Sequence, residues 1–501
     1  MHKKKSSILM ILFSVSGIVI LTKIFGLIKQ VIAANSFGAT AQTDLISLSE
    51  GLVSNIDYLL VQALSTAFIP TYLHTKTTDN NSSKRFVSDT IKVFLIITFG
   101  IASIVFFCSP IIAKILAPSY SPELTLSLSK YIKILSPVLI FVTEMAVYNS
   151  LLKSNEKFIP GELIGFNQSL IFIVLVITVG NILGANTLIA SFLCYAIFNL
   201  IFLSICSRGL WNIQRGNPFT NRDVIRLLKM MGPLLLGYSL VFVNQQVDKI
   251  IVSGLSTGTI TAMGYAAVLS TFITTFVGSL CGVLFTYITK NIVDNEDSKA
   301  AQLTISSIFQ LVTILLPISV LTIVNANDIV SIVFGRGKFD AVAVKNCSAA
   351  LVGYAFMFVP FVIRELLSRF QYAYGDSKTP MINSSVAILF NIAFSILLSK
   401  IWGVFGVTFA TSISVLICAV LNYLASHRRN HNLSINKAGS IYFRWIAGIC
   451  VCIAVTLIGQ KILSNYPSIV RFLLITFASF GIYCVLAFPV IKPMINMLRS
   501  K

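Results

Sequence analysis

The stretch TLIASFLCYAIFNLIFLSIC, residues 187–206, contains no charged residue. About 20 apolar residues in a helix are enough to cross the roughly 30 Å hydrocarbon core of a bilayer. Similar stretches recur along the whole chain, separated by short polar segments. Because lipid offers the backbone no hydrogen-bond partner, each stretch must satisfy its own peptide groups as a helix. The sequence therefore predicts an all-α polytopic membrane protein.

Composition supports this interpretation. Of the 501 residues, 56% are hydrophobic and 11% are charged, whereas soluble domains usually carry about 25% charged residues. Strand-like alternation is absent, which disfavours an outer-membrane barrel. We predict about fourteen spans, at residues 8–32, 44–73, 90–116, 129–152, 160–179, 187–206, 231–255, 260–288, 302–324, 347–370, 380–398, 404–424, 441–462 and 472–491.

The distribution of basic residues predicts the orientation. An even number of spans places both termini on one side of the membrane. Roughly three times as many basic loop residues fall on that side as on the other, which is the bias of cytoplasmic loops. We therefore expect a bacterial cytoplasmic-membrane protein with both termini in the cytoplasm. The net charge of +20 then faces anionic membrane lipids and does not indicate a nucleic-acid partner.

Motifs of enzymes and metal sites are missing from the sequence. The chain has no HExxH, GxSxG or GxxxxGK[ST] motif, and its nine cysteines include no CxxC spacing. We therefore expect a transporter and not an enzyme, with no metal or other cofactor. The membrane potential or an ion gradient would supply the energy.

An internal repeat organises the chain. Residues 154–160 (SNEKFIP) and 374–380 (YGDSKTP) both place an acidic residue, a basic residue and a helix-opening proline in succession. Three residue pairs share an offset of 220, namely Pro160 and Pro380, Lys29 and Lys249, and Gly38 and Gly258. The repeat predicts two parallel six-helix lobes, at residues 1–220 and 221–430, and a terminal helix pair at 431–501. Transporters built this way bind substrate between the halves, although the duplication could also persist for folding alone.

Polar residues inside the second span mark a candidate site. Ser47, Glu50, Ser54 and Asp57 are spaced by three, four and three residues, so they share one helical face. Such a stripe through an apolar span suits a water-filled cavity. A hydrogen-bonded seam between helices is the alternative.

Charged and amide side chains in the first and seventh spans extend this candidate site. Lys23 and Lys29 lie in the first span, and Lys23 is the deeper of the two, so we expect it to matter more. Lys29 could instead extend to the membrane interface. The seventh span carries four neighbouring polar residues, Asn244, Gln245, Asp248 and Lys249. Asp248 could pair with either lysine of the first span. Glu144 and the neighbouring Arg364 and Glu365 are further charges within spans.

Several motifs resemble those of one transporter family. They are TKIFGLIK (22–29), FGA (37–39) with Thr43 and Asp44, AFIP (67–70), FGRGKFD (334–340) and RFQYAYGDSKTP (369–380). In these motifs, and over nearly its whole length, the chain resembles the lipid II flippase family (MurJ, formerly MviN). That family belongs to a superfamily of multidrug and oligosaccharidyl-lipid exporters. Asp44 joins the candidate cavity residues from this motif.

The resemblance implies alternating access by two six-helix lobes. It also implies a cationic cavity for the diphosphate of an undecaprenyl-linked sugar, with a lipid-tail groove formed by the two last helices. The chain departs from the family at several positions. Lys23 and Lys29 stand in place of arginines, which keeps the charge and loses the bidentate fork. Asp57 and Val268 also replace arginines, and Gln30 replaces an acidic residue, which predicts weaker diphosphate binding.

The residues and the resemblance together predict a flippase for an undecaprenyl-diphosphate-linked saccharide, first of all the peptidoglycan precursor lipid II. Three alternatives stay open. They are a flippase for another lipid-linked polysaccharide unit, a cation or drug antiporter using Glu50, Asp57 and Asp248, and a membrane scaffold that does not transport. The expected partners are the lipid-linked glycan, membrane lipids and cell-wall synthesis enzymes, and we expect a monomer.

Overall fold

The computed structural model describes residues 2–433, 439–463 and 465–499 of the chain. Throughout these ranges the regular elements are helices, with no strand among them, which confirms the predicted all-α class. Two of the basic residues that contribute to the predicted orientation, Lys437 and Lys501, lie outside the described residues.

Long helices follow one another with short connections. In chain order they are α1 (His2–Phe37), α2 (Ala41–Thr78), α3 (Asn80–Phe107), α4 (Ser109–Leu116), α5 (Pro122–Leu135), α6 (Val138–Ser154), α7 (Ile159–Leu183), α8 (Asn186–Cys206), α9 (Arg222–Ser253), α10 (Thr259–Val293), α11 (Asp297–Val324), α12 (Ala326–Val333), α13 (Ala341–Ala355), α14 (Phe358–Ala373), α15 (Lys378–Arg429), α16 (Gly439–Ile462) and α17 (Ser468–Arg499). A 3-10 turn at Pro218–Thr220 precedes α9.

The number of membrane spans depends on how bent helices are counted. Among the described residues, 11 helices are long and apolar enough to span a membrane, or 12 if the bent pair α13–α14 forms one span. Helix α15 is interrupted at Gly403, whose φ of 58° and ψ of −134° are not helical. Helix α9 is not among the 11. The predicted total of about fourteen requires counting α9 and both halves of α15, and it stays a prediction.

The two sequence repeats share their local geometry. The break between α7 and α8 occurs at Gly184, with a φ of 54° and a ψ of −137°, which nearly equal the angles at Gly403. Helices α4 and α12 each have eight residues and follow the long helices α3 and α11. The breaks before α6 and α14 lie at Pro137 and Met357, so they also correspond. The duplication therefore extends from sequence motifs to the positions where helices break.

By packing, the chain divides into two compact units. The first comprises Met1–Thr261 with Gly337–Phe339, and the second comprises Ala262–Arg336 with Asp340–Lys501. Helix α9 packs in the first unit, whereas the division by repeats assigns it to the second half. The boundaries at residues 220 and 430 were placed by the sequence repeat and not by packing, so the division into two lobes and a terminal pair stays a prediction.

The core of the first unit forms where α2, α3, α6 and α9 meet. Phe68 of α2 and Phe86 of α3 are fully buried there, with ring centroids 5.2 Å apart. Leu151 of α6 and Leu227 of α9 complete this apolar contact. Since lipid is as apolar as these side chains, close packing and not escape from water holds the helices together. The same contact fixes the position of the polar face of α2.

The core of the second unit forms around α14. Leu367 and Phe370 of α14 are fully buried against Cys281 of α10 and Leu311 of α11. The terminal helices α16 and α17 also pack on α11. The indole Nε1 of Trp445 in α16 donates a hydrogen bond to Thr313 Oγ1 in α11, at 2.8 Å. The predicted terminal helix pair is therefore anchored to the second unit.

Candidate substrate-binding cluster

The polar face of α2 lies on the side of the helix away from its packed apolar residues. Leu48 is fully buried and Leu52 is 6% exposed. On the other face, Ser47 and Glu50 are half-buried, and Ser54 on the next turn is exposed. Asp57 follows one turn later and is buried, at 5% exposure. The stripe is therefore accessible at its centre and closed at Asp57.

Two lysines from different helices are directed toward Glu50. The Lys29 ammonium of α1 and the Lys249 ammonium of α9 both interact electrostatically with the Glu50 carboxylate. Lys29 also lies 5.5 Å from the ring centroid of Phe172 in α7, a cation–π arrangement. Neither lysine comes within the 4.0 Å of Glu50 that defines a contact ion pair. The cluster of Lys29, Glu50 and Lys249 is called the Lys–Glu–Lys cluster below.

Gly51 makes room for one of these lysines. The Lys249 ammonium lies against the Cα of Gly51, so that a Cβ atom at this position would overlap it. Glycine is the residue that allows another group to approach the backbone this closely. The ammonium of α9 can therefore reach the surface of α2 immediately beside Glu50.

Asp57 continues the acidic side of the cluster. Its Oδ1 atom is buried without a hydrogen-bond partner among the described residues. Tyr195 of α8, which is 8% exposed, interacts electrostatically with both Asp57 and Glu50. Tyr195 was missed by sequence reasoning, because a tyrosine in an apolar span carries no signal until its neighbours are known.

Lys23 lies apart from the Lys–Glu–Lys cluster. It is exposed on α1, while its neighbours contact α7. Thr22 donates a hydrogen bond to the Glu162 carbonyl at 3.3 Å, and the rings of Phe25 and Phe166 pack edge to face at 4.8 Å. The structure thus brings Lys29, and not Lys23, to Glu50.

The other candidate site residues of α9 differ in their burial and in their hydrogen-bond partners. Asn244 is half-buried, and its Oδ1 has no partner among the described side chains. Gln245 is exposed and Asp248 is half-buried; pairing of Asp248 with Lys23 or Lys29 stays a prediction. The neighbouring Gln246, which the sequence did not single out, is 7% exposed. In the part of the chain that the structure covers, neither of its amide atoms has a partner.

Asp44 binds backbone rather than another charge. Its Oδ2 accepts a hydrogen bond from the Gly258 N–H at 2.6 Å. Its Oδ1 accepts from the N–H and the hydroxyl of Thr261, at 2.8 and 2.7 Å. These bonds cap the first turn of α10 with a side chain of α2. A role for Asp44 in binding substrate stays a prediction.

The other charged side chains within the helices differ in whether they have ion-pair or hydrogen-bond partners. In the second unit, Glu365 contacts Arg364 at 2.8 Å and Arg369 at 3.5 Å. In the first unit, Glu144 is 4% exposed, and within the described chain neither of its carboxylate oxygens has a hydrogen-bond partner. The residues that the structure describes include no group of three or more His, Cys, Asp or Glu side chains that could hold a metal ion.

Two solved structures have the same fold as this chain. A structure described as lipid II flippase MurJ in an inward-closed conformation matches 96% of this chain and 100% of that chain, with a TM-score of 0.81 and 20% identity. An inward-facing multidrug resistance MATE transporter of the MOP superfamily matches 82% of this chain and 95% of its own, with a TM-score of 0.63 and 13% identity. The chain therefore has the fold of these two structures.

Sequence comparison identifies the family of this chain. The model of the family described as lipid II flippase MurJ matches residues 33–478. The probable lipid II flippase MurJ of Rickettsia prowazekii (strain Madrid E) is 25% identical over 455 residues, covering 88% of this chain and 89% of that protein. The probable lipid II flippase MurJ of Vibrio cholerae serotype O1 is 24% identical over 444 residues, covering 82% of this chain and 82% of that protein. The chain belongs to the lipid II flippase MurJ family, which confirms the resemblance in its motifs.

Proposed function

We propose that this chain is a flippase that moves an undecaprenyl-diphosphate-linked saccharide, foremost lipid II, from the inner to the outer leaflet. The observation that carries the proposal is the family match over residues 33–478. Relatives covered over most of their length are named probable lipid II flippases. The chain would act as a transporter and would make or break no covalent bond.

The Lys–Glu–Lys cluster supports a substrate with a diphosphate group. A diphosphate carries roughly two to three negative charges, and ammonium groups donate strong, charge-assisted hydrogen bonds to its oxygens. At an effective dielectric constant of about 20, two unit charges 4 Å apart interact by about 4 kcal/mol, compared with about 1 kcal/mol in water. Lys29 and Lys249 would therefore bind the headgroup, and the neighbouring hydroxyls of Ser47 and Ser54 would contact the polar saccharide.

The charge of the substrate also suggests how transport is driven. The chain has no ATP-binding motif, so alternating access would be coupled to the membrane potential or to an ion gradient. Movement of one charge through the membrane potential is worth about 2.3 kcal/mol per 100 mV. A potential that is negative inside favours outward movement of an anionic headgroup, which is the direction proposed here.

The proposal includes the orientation of the chain in the membrane, its location and its partners. Both termini would lie in the cytoplasm, because the termini share the side of the membrane that is rich in basic loop residues. The chain would act as a monomer in the bacterial cytoplasmic membrane, among membrane lipids. It would receive its substrate from enzymes that synthesise the cell wall on the inner face and deliver it to those on the outer face.

Depletion of the protein tests this function. In a strain without a second flippase, depletion should lower the fraction of lipid II exposed on the outer surface, because the headgroup would no longer cross the membrane. The exposed fraction can be measured with an impermeant enzyme that cleaves lipid II. Re-expression of the wild-type chain should restore exposure. Unchanged exposure after depletion would contradict the proposal.

A second candidate is a cation or drug antiporter, favoured by the buried carboxylates of the first unit. Asp57 Oδ1 and both oxygens of Glu144 have no partner among the described residues, and such groups often bind the cation or proton that drives transport. An antiporter predicts that overexpression raises resistance to cationic dyes, and that Asp57→Asn and Glu144→Gln abolish this resistance. A flippase predicts no change in dye resistance.

A further inference from the structure

The segment at residues 207–221, which connects α8 to α9, is bound to α3. The Gln214 N–H donates a hydrogen bond to Ser88 Oγ at 3.0 Å, and Asn221 Nδ2 donates one to Asp89 Oδ2 at 2.9 Å. Asn221 Oδ1 in turn accepts a hydrogen bond from the backbone N–H two residues later, at 3.0 Å, which caps the first turn of α9. Because the connecting segment is attached at both of these points, the start of α9 has a fixed position on the first unit.

The first turns of α9 have a packed face and an exposed face. Val224, Leu227 and Met231 are buried in the core of the first unit. The exposed face carries three cations and two apolar side chains, spaced so that all five share one side of the helix. They are Arg222, Ile225, Arg226, Lys229 and Met230, and they line an open cavity of about 480 Å³. These five residues are called the α9 basic patch below.

The three cations of the α9 basic patch have no acidic partner. Among the described residues, no carboxylate lies within 4.0 Å of the charged atoms of Arg222, Arg226 or Lys229. The sequence offers a single acidic residue, Asp223, in the whole stretch 163–247. Like charges three and four residues apart on a helix repel one another. An anion bound among the three cations would therefore relieve this repulsion.

Exposed apolar side chains accompany these cations. Ile213 is 81% exposed and Phe219 is 51% exposed, and both lie in the connecting segment, outside the helices that are long and apolar enough to span a membrane. Ile225 and Met230 of the patch are also exposed. Segments at a membrane surface combine basic and apolar side chains in this way, because the cations contact lipid phosphates and the apolar groups contact acyl chains. The composition therefore favours a lipid over a soluble anion.

We propose that the α9 basic patch binds the headgroup of an anionic phospholipid of the surrounding membrane. The phosphate oxygens accept charge-assisted hydrogen bonds from the guanidinium groups of Arg222 and Arg226 and from the Lys229 ammonium. The acyl chains lie against the exposed apolar side chains. This site is distinct from the Lys–Glu–Lys cluster, because Lys249 follows Lys229 by 20 residues, which is about 30 Å along an α-helix. Binding of this lipid does not depend on which substrate the chain transports.

Binding of a fluorescent phosphatidylglycerol to the full chain, purified in an uncharged detergent, tests this site. The triple variant Arg222→Gln/Arg226→Gln/Lys229→Gln should bind the lipid about tenfold or more weakly than the wild type, since it loses all three cations. Added NaCl should weaken lipid binding to the wild type and should have a smaller effect on the variant, because salt screens interactions between charges. Equal affinity of the two proteins would overturn the site.

A matched variant removes three positive charges elsewhere. Lys114, Lys130 and Lys400 occupy exposed positions of α4, α5 and α15. Their combined replacement by Gln changes the net charge by the same amount. It should leave the affinity for phosphatidylglycerol within about twofold of the wild-type value, because distant charges are screened. A loss equal to that of the patch variant would show that total charge, and not the patch, attracts the lipid.

Milder substitutions cover the case in which the triple variant fails to fold. Arg226→Gln alone should weaken lipid binding, and Arg226→Lys should keep most of the affinity because it keeps the charge. The double variant Ile213→Ser/Phe219→Ser should weaken lipid binding and leave its dependence on NaCl unchanged, since it removes apolar contact alone. Its melting temperature in detergent should equal that of the wild type, because both side chains are exposed. Wild-type affinity in both Arg226→Gln and the double variant would overturn the proposed contacts.

The kind of ligand is tested with three further compounds. Phosphatidylcholine carries the same phosphate without net negative charge, so it should bind much more weakly, and equal binding would overturn the requirement for an anionic headgroup. Inorganic phosphate in the concentration range of the lipid should not displace it, and displacement would assign the patch to a soluble phosphate instead. Displacement by polyglutamate in the same range would assign the patch to an acidic protein and overturn the lipid.

Discussion

At the scale of single residues, the two lysines of α1 differ in what surrounds them. Lys29 lies over an aromatic ring and interacts with Glu50, whereas Lys23 is exposed. The sequence alone favours Lys23, because Lys23 lies deeper in the predicted span. Depth along a helix can be read from sequence, but the direction in which a side chain points depends on how the helices pack.

The structure predicts that Lys29 contributes more to transport than Lys23. Lys29→Ala should abolish complementation of a depletion strain, because buried phosphate oxygens would lose a donor at a cost of about 1–3 kcal/mol. Lys23→Ala should complement, with at most a partial loss. Lys29→Arg should retain function, since arginine keeps the charge and adds donors. Growth after depletion, with immunoblots of membrane fractions, measures these effects.

The opposite ranking would restore the expectation from sequence. If Lys23→Ala abolishes complementation and Lys29→Ala does not, with equal amounts of protein in the membrane, the Lys–Glu–Lys cluster is not the site of headgroup binding.

A second residue-scale comparison concerns the turns that precede α7 and α15. Glu156 has a φ of 60°, and Gly375 at the corresponding turn has a φ of 74°. Glutamate is strained in this left-handed region, whereas glycine is not. Glu156→Gly should therefore stabilise the protein by up to about 1 kcal/mol, and Gly375→Ala should destabilise it by a similar amount. Thermal unfolding in detergent measures both, and equal shifts of the same sign would contradict this account.

At the scale of helices, Asp44 connects α2 to the start of α10. Three hydrogen bonds converge on its buried carboxylate. Asp44→Asn would lose the charge and one acceptor, and bonds to charged groups contribute about 1.5–3 kcal/mol each. We expect a lower melting temperature in detergent. Glu123→Gln, at an exposed position in α5, should leave the melting temperature unchanged.

The same variant decides whether Asp44 also acts in transport. Loss of flipping with an unchanged melting temperature would show that its role in substrate handling outweighs its role as a cap. A lower melting temperature with flipping retained at low temperature would assign Asp44 to structure alone.

Two of the predicted spans are broken helices, and a proline marks each break. The predicted span at residues 129–152 falls on two helices, α5 and α6, separated at Ser136 and Pro137, and proline marks this break in the sequence. The predicted span at residues 347–370 is broken in the same way at Phe356 and Met357. Pro360 marks that second break, because its ring clashes with the Phe356 carbonyl four residues earlier and it has no N–H to bond to that carbonyl. Both breaks could therefore be predicted from the sequence.

At the scale of the whole molecule, the class of fold could be predicted because it follows from composition and span length. The all-α architecture and the duplication were evident from apolar stretches and a few residue pairs with one offset. The Lys–Glu–Lys cluster could not be predicted as a unit. It depends on the side-by-side packing of α2 with α9 and of α1 with α7. The spacing of apolar residues along one helix does not show which other helix packs against it.

Orientation in the membrane is the prediction that belongs to the whole chain. A fluorescent protein that folds only in the cytoplasm, fused to the C-terminus, should fluoresce, because the excess of basic loop residues lies on the side of the termini. Alkaline phosphatase, which folds only outside, should be inactive at the same position. An active phosphatase fusion would reverse the orientation and the direction of the proposed transport.

Lys29 and Lys249 both interact with Glu50, and this shared partner shows how the two halves diverged. A duplicated ancestor carried every residue twice, yet the position 220 residues after Glu50 is Ser270, and the position that corresponds to Asp57 is Val277. The lysine is present in both copies, while both acidic positions of α2 have uncharged counterparts. Mutations that exchange these residues between copies, such as Ser270→Glu in a Glu50→Ser background, would therefore not be neutral. The lysine is therefore shared by the two halves, whereas these two carboxylates belong to the first half alone.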